Sequence, residues 1–384
     1  MIDLSLVMLP NRQLSNPLMY YTLGVPYIAA QVRKQGYNVI VNDLRDKSAD
    51  TKFITPARIT GFTATSGEYS MAKALASKLS THTVLGGAHA SLLPQTCTGF
   101  DSMVCGEGEE VMGSIINGST GLITAQRIRD LDALPQPAWD LLQPSRCFSK
   151  ELFPGERYGH GQPAATVIGS RGCPFRCAYC SNTLRSPVIY HSPERYATDI
   201  EYVHKTWGIK YFRLEDDNIT MNRNWLRALC DCLSKLHIHF KCHTRADLVD
   251  FQSMALLRTA GCEEVGLGVE SGDDRVLKLN NKGVTAIENL QALKYIRDSG
   301  MRSKVYLISG LPGESDESNA LTESFMLLAK PDKWTLSRFT PYPGSEIWLN
   351  LQKFGVILKK TPDFSGYWNF YSNPTYELID ADSH

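Results

Sequence analysis

Short apolar runs alternate with helical patterns along almost the whole chain, and this rhythm restricts the fold more than any other feature. Residues 2–9, 38–44, 58–63, 83–85 and 102–105 read as strands, with helical patterns over 24–35, closed by Gly36, and over 70–79. Alternating strands and helices predict a parallel, doubly wound sheet, because each helix carries the chain back to start the next strand in the same direction. Ligands of such sheets sit beyond the carboxyl ends of the strands. The turns at 63–67, 86–91 and 106–108, rich in glycine and small residues, fall at those ends. The rhythm breaks at 134–162, where prolines and glycines without periodicity suggest a linker. It then resumes with strand candidates at 165–170, 210–215, 239–244, 264–269, 303–309 and 334–339 and helical patterns in the gaps. That series predicts a partial (β/α)6 barrel over 163–345 with its site on the loops after the strands. The expected organisation is a domain at 1–133, the linker, the barrel, and an aromatic-rich tail at 346–384 packing on one barrel end.

Composition narrows the classes of function. The 384 residues carry 40 Lys+Arg against 40 Asp+Glu, which argues against a broad polyanion-binding face and gives no strong nucleic-acid signature. No apolar run approaches the ~20 residues that span a bilayer. The opening MIDLSLVMLPNRQ has no basic region before its apolar stretch and reads as a buried strand, not a signal peptide. The 10 cysteines are therefore expected to be reduced thiols of a cytoplasmic protein.

One group of them is tight. In Arg171-Gly172-Cys173-Pro174-Phe175-Arg176-Cys177-Ala178-Tyr179-Cys180, three thiols stand at CxxxCxxC spacing in the loop leaving the first barrel strand. A four-iron cluster has four corners, so three thiolates leave one iron open to a substrate or cofactor. A structural zinc site would need a fourth ligand at local spacing, and His191 and His160 stand too far along the chain. Inert buried cysteines are the remaining alternative.

This loop, with an aromatic before its last cysteine, resembles the radical S-adenosylmethionine (radical SAM) superfamily. The resemblance implies that Cys173, Cys177 and Cys180 ligate a [4Fe-4S] cluster whose open iron chelates SAM, and that Tyr179 packs against the adenine side. It further implies cleavage of SAM to methionine and a 5′-deoxyadenosyl radical. Later segments agree in order. Leu214-Glu215-Asp216-Asp217-Asn218 is similar to the segment that binds the SAM amino group. Arg245, after the third strand, is implied as a carboxylate partner, a task suited to a guanidinium fork. Gly266-Leu267-Gly268-Val269-Glu270 matches the GxGxE pattern, placing Glu270 near the ribose or amino group, and Lys282 matches a basic position that meets the carboxylate. The turns Gly310-Leu311-Pro312-Gly313-Glu314 and Pro341-Tyr342-Pro343-Gly344-Ser345 complete the series.

The first domain resembles the B12-binding (flavodoxin-like) domains attached to radical SAM enzymes, through 23–30 ahead of Gly36, the Gly86-Gly87-Ala88-His89 turn and the Cys105-Gly106-Glu107-Gly108-Glu109 turn. The resemblance implies cobalamin held by Gly86, Gly87 and the neighbouring turns. His89 is a candidate contact, although a histidine there more often caps its turn. No histidine stands at 11–20, so no imidazole ligand to cobalt comes from that loop. The implied activity is methylation of an unactivated carbon through methylcobalamin, fed by an electron donor such as flavodoxin or ferredoxin. The substrate class, whether small molecule, peptide or nucleotide, is left open. The alternatives are a radical SAM rearrangement, cyclisation or oxidation with the first domain as scaffold, and a non-catalytic corrinoid or iron–sulfur protein. Cys230, Cys232, Cys242 and Cys262 read as core residues.

Overall fold

The computed structural model describes residues 1–10, 18, 23–142, 163–358, 364 and 376–378. Two compact units emerge: Met1–Leu152 with Pro362–Trp368, and Phe153–Thr361 with Asn369–His384.

The first unit is built on a parallel sheet of β1 (Leu4–Met8), β2 (Val39–Asp43), β3 (Ile59–Thr63), β4 (His82–Gly86), β5 (Ser102–Cys105) and β6 (Gly121–Thr124). Their spatial order is β2-β1-β3-β4-β5-β6. Every residue of β1 is buried, as an unbroken apolar run with both faces covered requires. Strand order reverses at β1, which lies between β2 and β3, so the crevice at its carboxyl end is the binding position of this topology. Helices α1 (Gly24–Lys34), α2 (Tyr69–Ala76), α3 (Ala88–Leu92) and α4 (Met112–Ile116) connect the strands. Strand β6 escapes the sequence reading because it is an exposed edge: Gly-Leu-Ile-Thr carries no buried alternation. The expected linker also begins later than its composition suggests. Leu134, Ala138, Trp139 and Leu142 are buried, and the Ala138 N–H donates to the Pro26 carbonyl at 3.0 Å, so 134–142 belongs to this unit. The remainder, 143–162, lies outside the described residues.

The second unit contains β7 (Ala164–Val167), a short antiparallel pair β8 (Ser170–Arg171) and β9 (Ile189–Tyr190), then β10 (Tyr211–Leu214), β11 (His239–Thr244), β12 (Cys262–Glu270), β13 (Arg302–Ser309) and β14 (Lys333–Arg338). Strands β7 and β10–β14 pair in parallel and in chain order, giving a curled, open half-barrel. Helices α5 (Pro193–Trp207), α6 (Arg223–Leu233), α7 (Phe251–Thr259), α8 (Asp274–Leu279), α9 (Ala286–Asp298) and α10 (Asp316–Ala329) fill the connections. Their starts are chemically marked: the Ser192 hydroxyl caps α5 ahead of Pro193, and Thr285 with Glu288 forms a capping box on α9.

Successive side chains of these strands serve two different environments. Phe212, Leu214, Phe240, Cys242, Val265, Leu267 and Val305 are almost fully buried on the face covered by helices. The alternate positions, which line the opposite face, are mostly polar or charged. After β14, α11 (Glu346–Leu349) leads to β15 (Val356–Leu358), which pairs with β16 (Tyr376–Leu378). Ile347, Phe354 and Val356 join Ala178, Val276, Leu311 and Phe339 in one apolar cluster, so this part of the tail seals the barrel. Not all of the tail does so: Phe364 is buried in the first unit, edge-on to His89.

Candidate active site

The three cysteines occupy one loop between β8 and β9, and local geometry explains why the chain can turn there. Gly172 has φ +113°, and a Cβ on it would lie 2.6 Å from the Leu184 carbonyl oxygen and 3.0 Å from that of Arg185. Only glycine fits both constraints. Arg185 closes the loop from the other side, donating to the carbonyls of Phe175 and Cys180, both at 2.8 Å. Between the cysteines, the Ala178 N–H donates to the Asn280 carbonyl at 2.8 Å and its own carbonyl accepts from Ile347 N–H at 3.0 Å. The loop is thereby fastened to the segment after β12 and to α11.

The thiols are near enough to perturb one another's ionisation. Burial, followed by the Cys177 charge, pushes Cys180 up to about 12, and burial also raises Cys173. Among the described residues no group of three Cys, His, Asp or Glu side chains closes on a point that a single metal ion would occupy. Three cysteine thiols on one loop are the soft donor set that an iron–sulfur cluster takes. Two cationic or amide donors already point at the sulfurs: Arg245 Nη1 lies 3.3 Å from Cys177 Sγ, and Asn218 Nδ2 lies 3.3 Å from Cys173 Sγ. Such N–H···S contacts stabilise a thiolate and help set a cluster's potential.

Around this loop the structure sorts the predicted contacts. Lys282 and Glu270 form a buried pair, Nζ to Oε1 3.0 Å, with side chains 4% and 11% exposed. Glu270 holds a positive φ of 69°, rare for a residue with a side chain, at an irregularity in the β12–β13 register. Gly268 makes room for the pair: a Cβ there would stand 2.6 Å from Glu270 Oε1 and 3.0 Å from Lys282 Nζ. Tyr179 packs its ring against the apolar cluster around Ala178 and Leu311, and its buried hydroxyl lies close to the Cys177 thiol. Burial raises its pKa well above that of an ordinary tyrosine, with Glu270 adding to the effect.

Three predicted contacts are deployed differently. Asp216 does not face an open site. It is 1% exposed and accepts from Gly169 N–H (3.1 Å), the Ser170 hydroxyl (2.5 Å) and the Tyr196 hydroxyl (3.0 Å), pinning the chain after β7. Burial raises its pKa to about 6. Asp217 instead accepts from Asn182 Nδ2 at 3.2 Å, and burial raises it as well. Arg245 has little of its fork to spare. Nε and Nη2 bond Asp247 at 3.0 and 3.2 Å, Nη2 also donates to the Lys282 carbonyl at 2.6 Å, and Nη1 is engaged by Cys177. Its guanidinium also covers the Phe175 ring at 3.7 Å. Phe175, Asn182 and Arg185 went unnoticed in the sequence because each acts through a contact that spacing does not encode.

In the first unit, Gly87 has φ +94°, and a Cβ on it would stand 2.8 Å from Thr63 Oγ1 and 2.9 Å from Ala64 N, so it is required for the close approach of two strand ends. Gly86 has only ordinary contacts at its Cβ position. His89, a candidate contact that the sequence reads more often as a turn cap, is held within its turn. Fully buried, it uses Nδ1 on the Ser66 hydroxyl (3.0 Å) and Nε2 on the Thr96 hydroxyl (3.1 Å), and it stacks on Tyr69. Burial lowers its pKa to about 4. The described turns after β3 and β4 are built largely from small residues, which permits close approach of a ligand, whereas the turn after β5 alternates Gly106 and Gly108 with the buried Glu107 and Glu109.

The site side of the molecule is thus a half-barrel bearing a three-thiol loop at its first strand end, in one chain with a doubly wound sheet of order 2-1-3-4-5-6. Comparison with known proteins agrees. Residues 167–325 match the family model of the radical SAM superfamily, and residues 17–116 match that of the B12 binding domain. The chain thus carries a radical SAM domain and, ahead of it, a B12-binding domain. An uncharacterized methyltransferase of Pyrococcus horikoshii is 28% identical over 94% of this chain and 90% of its own length. An anaerobic magnesium-protoporphyrin IX monomethyl ester cyclase of Rubrivivax gelatinosus is 27% identical over 85% of this chain, which spans only 65% of that enzyme. The structure of TsrM, a radical SAM methyltransferase of Kitasatospora setae with cobalamin and a [4Fe-4S] cluster bound, superposes with a TM-score of 0.72. It covers 93% of this chain and 79% of TsrM at 16% identity, a likeness of fold. No helix among the described residues is long and apolar enough to cross a membrane.

Proposed function

We propose that the chain is a cobalamin-dependent radical SAM methyltransferase acting on an unactivated carbon. The observation that carries this reading is the loop of three thiols, fastened at Ala178 to the segment after β12 and to α11, with two sulfurs already met by N–H donors. Cys173, Cys177 and Cys180 would hold the [4Fe-4S] cluster, and Lys282 with Glu270 would take the amino-acid end of SAM. A lysine beside a glutamate is the complement of a carboxylate beside an ammonium, and burial strengthens both interactions. Tyr179 would border the adenine side, and Asp217 and Asn218 the approach from β10. Arg245 acts as a positioning residue, since most of its donors already tie Cys177 to the loops after β11 and β12. Gly86 and Gly87 would form part of the corrinoid cradle.

When bound, the cluster supplies an electron and an open iron, SAM an adenosyl group and a methyl group, and cobalamin the carrier of that methyl. The chain supplies position and a dry enclosure. An electron donor of the flavodoxin or ferredoxin type and a reducing cytoplasmic setting complete the proposal. The test is anaerobic incubation of reconstituted protein with SAM and dithionite, measuring 5′-deoxyadenosine and S-adenosylhomocysteine. Formation of both supports methyl transfer. 5′-Deoxyadenosine alone would favour the second reading, a non-methylating radical reaction, which the named cyclase relative supports. SAM left intact by reduced protein would overturn both.

A further inference from the structure

The concave face of the half-barrel is chemically unusual. Closed barrels of this kind fill their interior with Val, Ile and Leu. Here Lys241 stands in register beside Glu264, and Gly266 stands between His243 on one neighbouring strand and Lys304 on the other. Most of the charges have partners: Arg213 pairs with Glu215, and Lys333 with Glu264 at 3.2 Å. Lys304 has no carboxylate partner among the described residues, and its ammonium stands 5.0 Å from the centroid of the Tyr306 ring.

Beside it is a polar arrangement for which Gly266 makes room. Tyr306 Oη lies 3.3 Å from His243 Nδ1, while His243 Nε2 is buried without a hydrogen-bond partner among the described residues, 3.6 Å from Glu215 Oε1. A Cβ on Gly266 would stand 2.5 Å from that Nδ1 and 2.8 Å from Tyr306 Cε2, so the missing side chain is what lets the two rings meet. Tyr306 is level with Gly268, the glycine that makes room for Glu270 and Lys282. The group therefore lies on the same face as the Lys282–Glu270 pair, deeper in the barrel. Burial, with the cations Arg213, Lys241 and Lys304, holds His243 neutral with a pKa of about 3, a sign of positive potential.

We propose that this concave face is a substrate-anchoring site for an anionic group, carboxylate or phosphate, with Lys304 as its charge partner and the Tyr306 hydroxyl as its hydrogen-bond donor, the hydroxyl being oriented by accepting the Nδ1 proton of His243. The proposal rests on the radical SAM reading and adds the substrate class: an organic acid or phosphate ester.

The test is calorimetry on the full chain, with its cluster reconstituted anaerobically and SAM saturating, titrated separately with inorganic phosphate and with acetate. At least one anion should bind saturably. Lys304→Met should weaken it at least about tenfold, the scale of one charge-assisted hydrogen bond. Tyr306→Phe should weaken it severalfold, and SAM affinity and thermal midpoint should hold in both variants. The tighter of the two anions identifies the substrate's acidic group. Lys304→Gln, which keeps a polar end, serves as a second variant should the methionine protein fold poorly, with the same loss expected. Binding of neither anion, or unchanged binding in the Lys304 variants, would overturn the proposal. Equal loss of SAM and anion binding would also overturn it, by assigning the lysine to SAM. Failure of the parent reading shows separately, as wild-type protein that neither binds nor cleaves SAM.

Discussion

Replacing Arg245 with methionine tests how the cluster loop is held. The methionine keeps the apolar stem and removes four polar contacts and one ring contact. Their weights differ. Asp247 is 28% exposed, so its carboxylate regains water and the loss there is about 1 kcal/mol. The Lys282 carbonyl lies in a buried segment and loses a charge-assisted bond worth roughly 1.5–3 kcal/mol. Contact with the Phe175 ring adds about 1 kcal/mol. The sum, about 4 kcal/mol, agrees with the roughly 3–5 kcal/mol typical of removing one partner from a buried ionic group. Urea unfolding of cluster-free protein under reducing conditions measures it. Asp247→Asn is the control, with an expected loss near 1 kcal/mol. Arg245→Lys should recover only part of the loss, because an ammonium cannot span Asp247, the Lys282 carbonyl and Cys177 together. A change below about 1 kcal/mol in Arg245→Met would refute the reasoning, since it would mean that these contacts hold nothing in place.

Three further outcomes follow from particular residues. Asp216 keeps its proton to about pH 6 when folded, whereas the unfolded carboxyl releases it near 3.8. The protonated form thus stabilises the fold below pH 4, and that contribution is lost as pH rises through 6, by about 3 kcal/mol in all. Urea midpoints from pH 4 to 7 should therefore show a decline that Asp216→Asn flattens, and parallel curves for the two proteins would contradict the assignment. Gly172→Ala should lower the thermal midpoint and the iron retained per chain, because its Cβ meets two backbone carbonyls at a positive φ. Gly24→Ala, with nothing within 4 Å, should be neutral or slightly stabilising, and equal effects at both positions would count against the loop geometry. Cys177→Ala should abolish SAM cleavage, read as 5′-deoxyadenosine, while leaving corrinoid binding unchanged. Persistence of cleavage would remove Cys177 from the cluster.

Much of this architecture is legible in the chain because local signals agree with the global fold. Strand runs, glycine turns and caps such as Ser192-Pro193 all point the same way, and the cysteine spacing marks its own loop. What could not be read is what depends on partners distant in sequence. Asp216 and Asp217 are adjacent and chemically identical, yet only the fold places Tyr196 and Ser170 around the first. Arg245 reads as a free fork until Asp247 and the Lys282 carbonyl are seen to occupy it. His89 reads as a turn cap, but only the fold names Ser66 and Thr96 as the partners of its two ring nitrogens. Strand β6 lacked a pattern because an exposed edge imposes none. The polar concave face was equally hidden, since alternation along a strand reports two faces without saying which of them holds a ligand.

The most direct test of the account is the cofactor content of anaerobically prepared protein after iron–sulfur reconstitution in the presence of hydroxocobalamin and desalting. The readouts are iron by colorimetry and corrinoid by visible spectrum and mass spectrometry. The account predicts about four irons, the content of one cubane cluster, together with about one cobalamin per chain. Iron at that level without cobalamin, in protein that still cleaves SAM, would contradict methyl transfer through cobalamin and leave the first domain a scaffold.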